Sequence, residues 1–179
     1  MSAFSYAQET GPSKEVTQEY IQKYTEEAVR LKTYLECYDE YGNAYRCSDD
    51  IIGSNLWYDD FSRIYRRTSV KIPEGSYQNK VEFAKINWGN ITNIYEDTSE
   101  SIHRDISELG LIVLESSSKI LYTTSCYQTT GDNVEKDCDL SVYVDDVLIF
   151  IPRNRVEACL KALNHLKEIS KVDDPFDDH

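Results

Sequence analysis

The chain has 179 residues, 40% of them hydrophobic, and a formal net charge of −13. That length suits one domain able to bury a core of its own. The acidic balance argues against nucleic acid and anionic membrane surfaces as partners, because phosphates demand a basic patch. No stretch reaches the roughly 20 apolar residues that a membrane span needs.

In chain order, residues 1–12 carry no helical or strand pattern and end at Gly11-Pro12. Ser2-Ala3-Phe4-Ser5-Tyr6-Ala7-Gln8-Glu9 resembles the last part of a secretory signal, with small residues at Ser5 and Ala7 before a polar run; the alternative is a disordered tail. Ser13 is placed to cap a helix running to about Glu36. Val16, Tyr20, Tyr24, Ala28, Leu31 and Leu35 recur at spacings of three and four, which predicts an apolar stripe for the core. From Cys37 to Tyr95 the pattern shortens and becomes β-like, with Pro73-Glu74-Gly75 as a turn, a strand over Val81–Trp88 and another around Ile91–Tyr95. Arg63, Arg66 and Arg67 form the one basic cluster and read as a solvated strand or loop face. Glu96 to Ser107 is polar and reads as a loop or short helix.

The second half is clearer. Leu109–Glu115 and Lys119–Gln128 read as strands with Ser116-Ser117-Ser118 turning between them. Leu140–Val144 and Val147–Ile151 read as another pair around Asp145-Asp146. Asn154 and Glu157 match a capping box that opens a helix to about Lys171, with Val156, Cys159, Leu160, Leu163, Leu166 and Ile169 as its apolar stripe. Residues 173–179 form an acidic tail. The expected class is therefore α+β, a single domain over residues 13–172 with an antiparallel sheet between a long N-terminal and a C-terminal helix.

The cysteines pair naturally by position. Cys37 and Cys47 flank a span with Gly42-Asn43 at its centre, and Cys126 and Cys138 flank Thr130-Gly131-Asp132-Asn133. Each pair can close a local disulfide loop, worth about 3 kcal/mol in the chain-entropy model. Free thiols are the rival reading; zinc lacks the usual CxxC spacing and a nearby histidine. Together with the signal-like start, two disulfides predict a periplasmic or secreted protein.

No catalytic, cofactor or metal signature emerges. Cys159 has apolar helical neighbours, which do not activate a thiol. His103, His165 and His179 fall in a loop, a helix and the terminus. Asp49-Asp50, Asp59-Asp60, Asp145-Asp146, Asp173-Asp174 and Asp177-Asp178 lack the alternating ligand spacing of an EF-hand loop and read as solvated acids. Asn90-Ile91-Thr92 fits a glycosylation sequon of a kind common by chance. Tyr143-Val144-Asp145-Asp146, followed by Val147-Leu148-Ile149-Phe150, is similar to the palm motif of reverse transcriptases. The chain is too short and too acidic for the fingers and nucleic-acid channel that such a palm serves, so the two aspartates read as turn residues.

A further resemblance covers about residues 80–171. Phe83-Ala84-Lys85-Ile86-Asn87-Trp88-Gly89-Asn90-Ile91-Thr92-Asn93-Ile94, then Leu148-Ile149-Phe150-Ile151-Pro152, then Val156–Leu166 ending in Ala162-Leu163-Asn164-His165-Leu166, resemble a family of uncharacterised Bacteroidetes-type secreted domains. The resemblance implies a pleckstrin-homology-like (PH-like) barrel of bent antiparallel strands closed by the C-terminal helix, and it implies no activity. The expected function is a non-catalytic extracytoplasmic binding domain without cofactor, whose partner is a protein of basic character. The alternative is an immunity-type protein that inhibits a secreted bacterial toxin.

Overall fold

A computed structural model describes residues 11–35, 37–38, 44–45, 52–72, 75–98 and 108–172. The expected tails, the loop at 99–107, Pro73-Glu74, Asp49-Asp50, His103, His179 and Cys47, with it the Cys37–Cys47 bridge, lie wholly or partly outside these residues.

The order of elements is α1 (Lys14–Leu35), β1 (Cys37–Tyr38), β2 (Ala44–Tyr45), β3 (Ile52–Tyr58), β4 (Arg63–Ile72), β5 (Gly75–Ala84), β6 (Ile91–Asp97), β7 (Leu109–Thr130), β8 (Asn133–Pro152) and α2 (Val156–Val172). Among the described residues, strands β1 and β2 pair only with each other. The main antiparallel sheet runs β3-β4-β5-β7, with β8 on the far side of β7. Strands β5 and β6 lie end to end along one side of β7: Gly75 to Ala84 face Thr130 to Leu121, and Ile91 to Asp97 face Ser116 to Leu111. Between them Lys85 turns left-handed at φ 65°, which ends β5 short of the expected Trp88. A 3-10 turn at Trp88–Asn90 then follows, capped by Asn87, whose Oδ1 accepts from Gly89 N at 2.9 Å.

Strands β7 and β8 correct two sequence expectations. Ser116-Ser117-Ser118 does not separate two strands, and Asp145-Asp146 is not a hairpin turn. Both lie within single long strands, at one shared irregularity: Glu115 faces Asp146 and Ile120 faces Val144, so residues 116–119 bulge opposite Asp145 alone. The serines hold the bulge with their own hydroxyls. Ser118 N donates to Ser116 Oγ at 3.1 Å, and Ser117 Oγ donates to Asn90 O at 3.2 Å. Lys119 Nζ spans it to both oxygens of Asp145 at 2.6 and 2.7 Å. The only turn of this hairpin is Gly131-Asp132, where Gly131 adopts φ 59°.

The β3–β4 turn is held by aromatic packing. Asp59, Asp60 and Phe61 all adopt left-handed backbone at φ 49°, 53° and 67°, a conformation that aspartate tolerates better than most residues and phenylalanine does not. Phe61 is kept there because its ring stacks on Trp57 at 4.6 Å and its carbonyl accepts from Trp88 Nε1 at 3.2 Å.

Both helices contribute to one core with the sheet. Ile21, Ile64, Ile91, Ile112, Leu114, Ile120, Val147, Ile149, Leu163 and Leu166 are essentially inaccessible within it. α2 packs against β6 and the 3-10 turn, and its stripe is as expected: Val156, Cys159, Leu163 and Leu166 are buried, with Leu160 and Ile169 packed beside them. Its start differs. The chain enters through a 3-10 turn at Arg153–Arg155, and Glu157 binds Lys161 at 2.8 Å instead of reaching back to Asn154.

The buried stripe of α1 holds the expected Tyr24 and Ala28, with Tyr20 packed beside the core, and departs from expectation at Val16. Thr17, Ile21, Tyr24, Thr25, Ala28 and Val29 face inward, whereas Val16 is 55% exposed. Threonine enters this stripe because its hydroxyl is satisfied locally: Thr17 and Thr25 donate to the carbonyls of Ser13 and Ile21, each at 2.9 Å. α1 touches two outer strands of the sheet, β3 and β8, and these do not pair with each other. The sheet therefore remains open. On the β3 side Gln22 acts as a surrogate strand: its Nε2 donates to Asn55 O at 2.6 Å and its Oε1 accepts from Trp57 N at 2.8 Å. Thr25 Oγ1 accepts from the Trp57 indole at 3.1 Å.

Gln22→Ala should orphan two backbone groups of β3 and lower the unfolding free energy by about 1–3 kcal/mol, read from chemical denaturation curves. Leu163→Ala should cost about 2–5 kcal/mol by the cavity it opens. Lys161→Ala, on the exposed side of the same helix, should cost about 0.5 kcal/mol or less. Similar small shifts for the two α2 variants would mean that the helix is not docked.

Candidate functional site

Alternation along each strand sends Ile64 and Phe83 to the core, so Arg63, Tyr65 and Arg67 of β4 and Lys80 and Glu82 of β5 point to the opposite face. Following the register outward, the same face carries Leu56 and Tyr58 of β3, Leu121 and Tyr127 of β7, and Tyr143 of β8. Both helices pack on the core side, and no described helix covers this one. Leu56 is 48% and Tyr143 59% exposed.

The rings and cations of this face contact one another. The Arg63 guanidinium binds Glu82 through Nε at 2.9 Å and through Nη2, approaches Asp59 at 3.6 Å, and lies 5.8 Å from the centre of the Tyr58 ring. Tyr58 and Tyr65 stand with ring centres 6.4 Å apart. Lys80 Nζ sits 4.8 Å above the Tyr127 ring. Lys85 Nζ sits 5.6 Å from the Tyr143 ring and 3.4 Å from its hydroxyl. Arg67 reaches Gln78 at 3.5 Å. The hydrogen bond to Glu82 raises the pKa of Arg63, and partial burial raises those of Tyr58 and Tyr65. At neutral pH the phenols are therefore protonated donors among fixed cations.

The basic cluster is split by this geometry. Arg63 and Arg67 lie on the outward face, as a solvated cluster requires. Arg66 points the other way, half-buried, with its guanidinium 5.4 Å from the Phe83 ring and 5.7 Å from the Phe150 ring. The alternation Arg63-x-Tyr65-x-Arg67 and Lys80-x-Glu82 is a period of two that acquires meaning only once β4 and β5 are assigned.

The other candidates separate in space. Cys126 and Cys138 stand directly opposite across β7 and β8 and form a disulfide, with Cα atoms 4.7 Å apart. Cys159 is a buried free thiol whose pKa burial pushes up to about 12. His165 Nε2 lies 2.8 Å from Pro12 O, on the wall of a shallow groove of about 400 Å³ between the helices, lined also by Val16, Tyr20 and Ala162. Asp145 is engaged by Lys119. Among the described residues no three His, Cys, Asp or Glu side chains come together to hold a metal ion, and no helix is long and apolar enough to cross a membrane.

Iodoacetamide at pH 8 should leave native Cys159 unmodified and label it in denaturant, since the thiolate is the nucleophile. Unreduced peptide mapping should recover the Cys126–Cys138 pair; two labelled thiols at these positions in non-reduced protein would contradict it.

Comparison with protein-family models, with curated proteins and with solved structures returns no match to this chain.

Proposed function

We propose that the chain is a non-catalytic binding domain that acts outside the cytoplasm and docks a protein partner on its uncovered sheet face. The observation that carries this reading is the interleaving of Tyr58, Tyr65, Tyr127 and Tyr143 with Arg63, Arg67, Lys80 and Lys85 on a face that no described helix covers. Tyrosine and arginine dominate the energetics of protein interfaces because they bring large, rigid contact area together with hydrogen-bond donors. Here they are already ordered against one another, which reduces the entropy lost on binding.

The Cys126–Cys138 disulfide supports an oxidising compartment, periplasmic or secreted. The bent antiparallel sheet with its C-terminal helix supports a PH-like plan of the Bacteroidetes-type secreted domains, left open rather than closed. The net charge of −13 favours a basic partner, because a long-range field of one sign speeds encounter with the opposite sign. The same charge favours the immunity-type alternative, in which the partner is a basic secreted toxin.

The test compares partners captured from the native organism by the wild-type chain and by Tyr65→Ser with Arg67→Ser. Loss of two such contacts should weaken capture by about tenfold or more. Equal capture by both proteins, with both folded by circular dichroism, would remove this face from the reading. A captured toxin neutralised by the chain would select the immunity-type alternative.

A further inference from the structure

Two edges of the main sheet, those of β3 and β8, are treated differently. Unpaired N–H and C=O groups along an edge invite a foreign strand, and folds usually block them. At β3 the block is present: the amide of Gln22 occupies the free backbone groups of Asn55 and Trp57. At β8 the C-terminal half is buried, with Val147, Ile149 and Ile151 at 1% exposure or less. Beyond the bulge at Asp145 the strand runs out to its turn uncovered, and among the described residues it pairs only with β7. Its side chains are not those of a guarded edge: Leu140 is 47%, Val142 37% and Tyr143 59% exposed.

We propose that the outer edge of β8 over residues 139–144 accepts an extended, basic segment of a partner protein as an added strand. This rests on the binding-domain reading and adjoins its face at Tyr143. Three observations select the occupant. The strand is held ready, because the Cys126–Cys138 bridge and the Lys119–Asp145 pair fix it to β7 on either side of the open stretch. The apolar run Leu140–Val144 is bracketed by acids, Glu135 and Asp139 before it and Asp145 and Asp146 after it; among the described residues Lys136 pairs with Asp139 and Lys119 with Asp145, which leaves Glu135 and Asp146 for a partner's cations. An apolar segment flanked by lysine or arginine therefore finds both its contacts and its counter-charges. A second copy of this chain fits poorly: the antiparallel register that lays the apolar run on itself, Leu140 against Val144, also sets Asp139 against Asp145, and like charges opposed across strands destabilise a pair.

The experiment titrates the full, disulfide-intact chain with a nine-residue peptide of alternating lysine and valine, following backbone amides by NMR and hydrogen exchange. Binding should shift and protect the amides of residues 139–144. A peptide with glutamate in place of lysine, and one N-methylated along one edge to remove its ladder donors, should each bind about tenfold more weakly or worse. Leu140→Ser with Val142→Ser, both at exposed positions, should weaken the lysine peptide in the same way. Equal binding of the N-methylated peptide, or shifts confined to β4 and β5, would overturn strand addition. Concentration-dependent dimers that protect the same amides would assign the edge to a second copy instead. If native partners are lost with Tyr65→Ser and Arg67→Ser but retained with the two β8 serines, the face stands and the added strand does not.

Discussion

Every part of this fold depends on what β7 has to pair. A strand of 22 residues presents one side to β8 along its length and the other side to β5 and then β6 in series. One continuous straight ladder cannot serve two partners set end to end, and the chain resolves the conflict at a single level of the sheet. There the serine bulge of β7, the left-handed Lys85, the 3-10 turn at Trp88–Asn90 and the isolated Asp145 of β8 fall together. Bulges bend strands and increase their twist. The bend brings the outer strands around to α1, and α1 in turn supplies the glutamine that finishes β3. Trp88 enters at the same level and locks the β3–β4 turn through Phe61, so the strained turn at Asp59–Phe61 is maintained from the middle of the sheet.

What was legible in the sequence follows from which signals are local. The stripe of α2 was readable because Val156, Cys159, Leu163 and Leu166 obey helical spacing without exception. The glycine turn between Cys126 and Cys138 named both a hairpin and a bridge. Ser116-Ser117-Ser118 and Asp145-Asp146 misled for a physical reason: the short polar side chains that satisfy a turn's backbone also satisfy a bulge, and only the partner strand tells them apart. The stripe of α1 was read correctly at Tyr24 and Ala28 and missed Thr17 and Thr25, because Val16 looks apolar and a threonine does not, although a threonine that bonds its own helix costs little to bury. Arg66 shared a cluster with Arg63 and Arg67 in the sequence, and strand alternation sent it to the other side. The tyrosine face itself was invisible as a unit, since its rings come from the β3–β4 hairpin and from β7 and β8, more than fifty residues further along the chain.

The surfaces proposed for binding are those that the described helices leave uncovered. The helices take one face and one edge, and what they leave is a tyrosine-rich face and an acidic edge that meet at Tyr143. Among the described residues neither surface gathers three metal-ligating side chains. Rigidity helps such a surface, because strands pinned on both sides of a recognition stretch lose little freedom when a partner arrives.

The burial of Cys159 bears on how the chain matures. Five cysteines are an odd number, and in an oxidising compartment an unmatched thiolate is the agent that attacks correct bridges and shuffles them. With its pKa pushed up to about 12 by burial, native Cys159 stays protonated at neutral pH. Its safety begins only when α2 docks. For a chain oxidised as it folds, docking of α2 withdraws this thiol from exchange with the Cys126–Cys138 bridge. A variant with serine at this position would lose that dependence on docking.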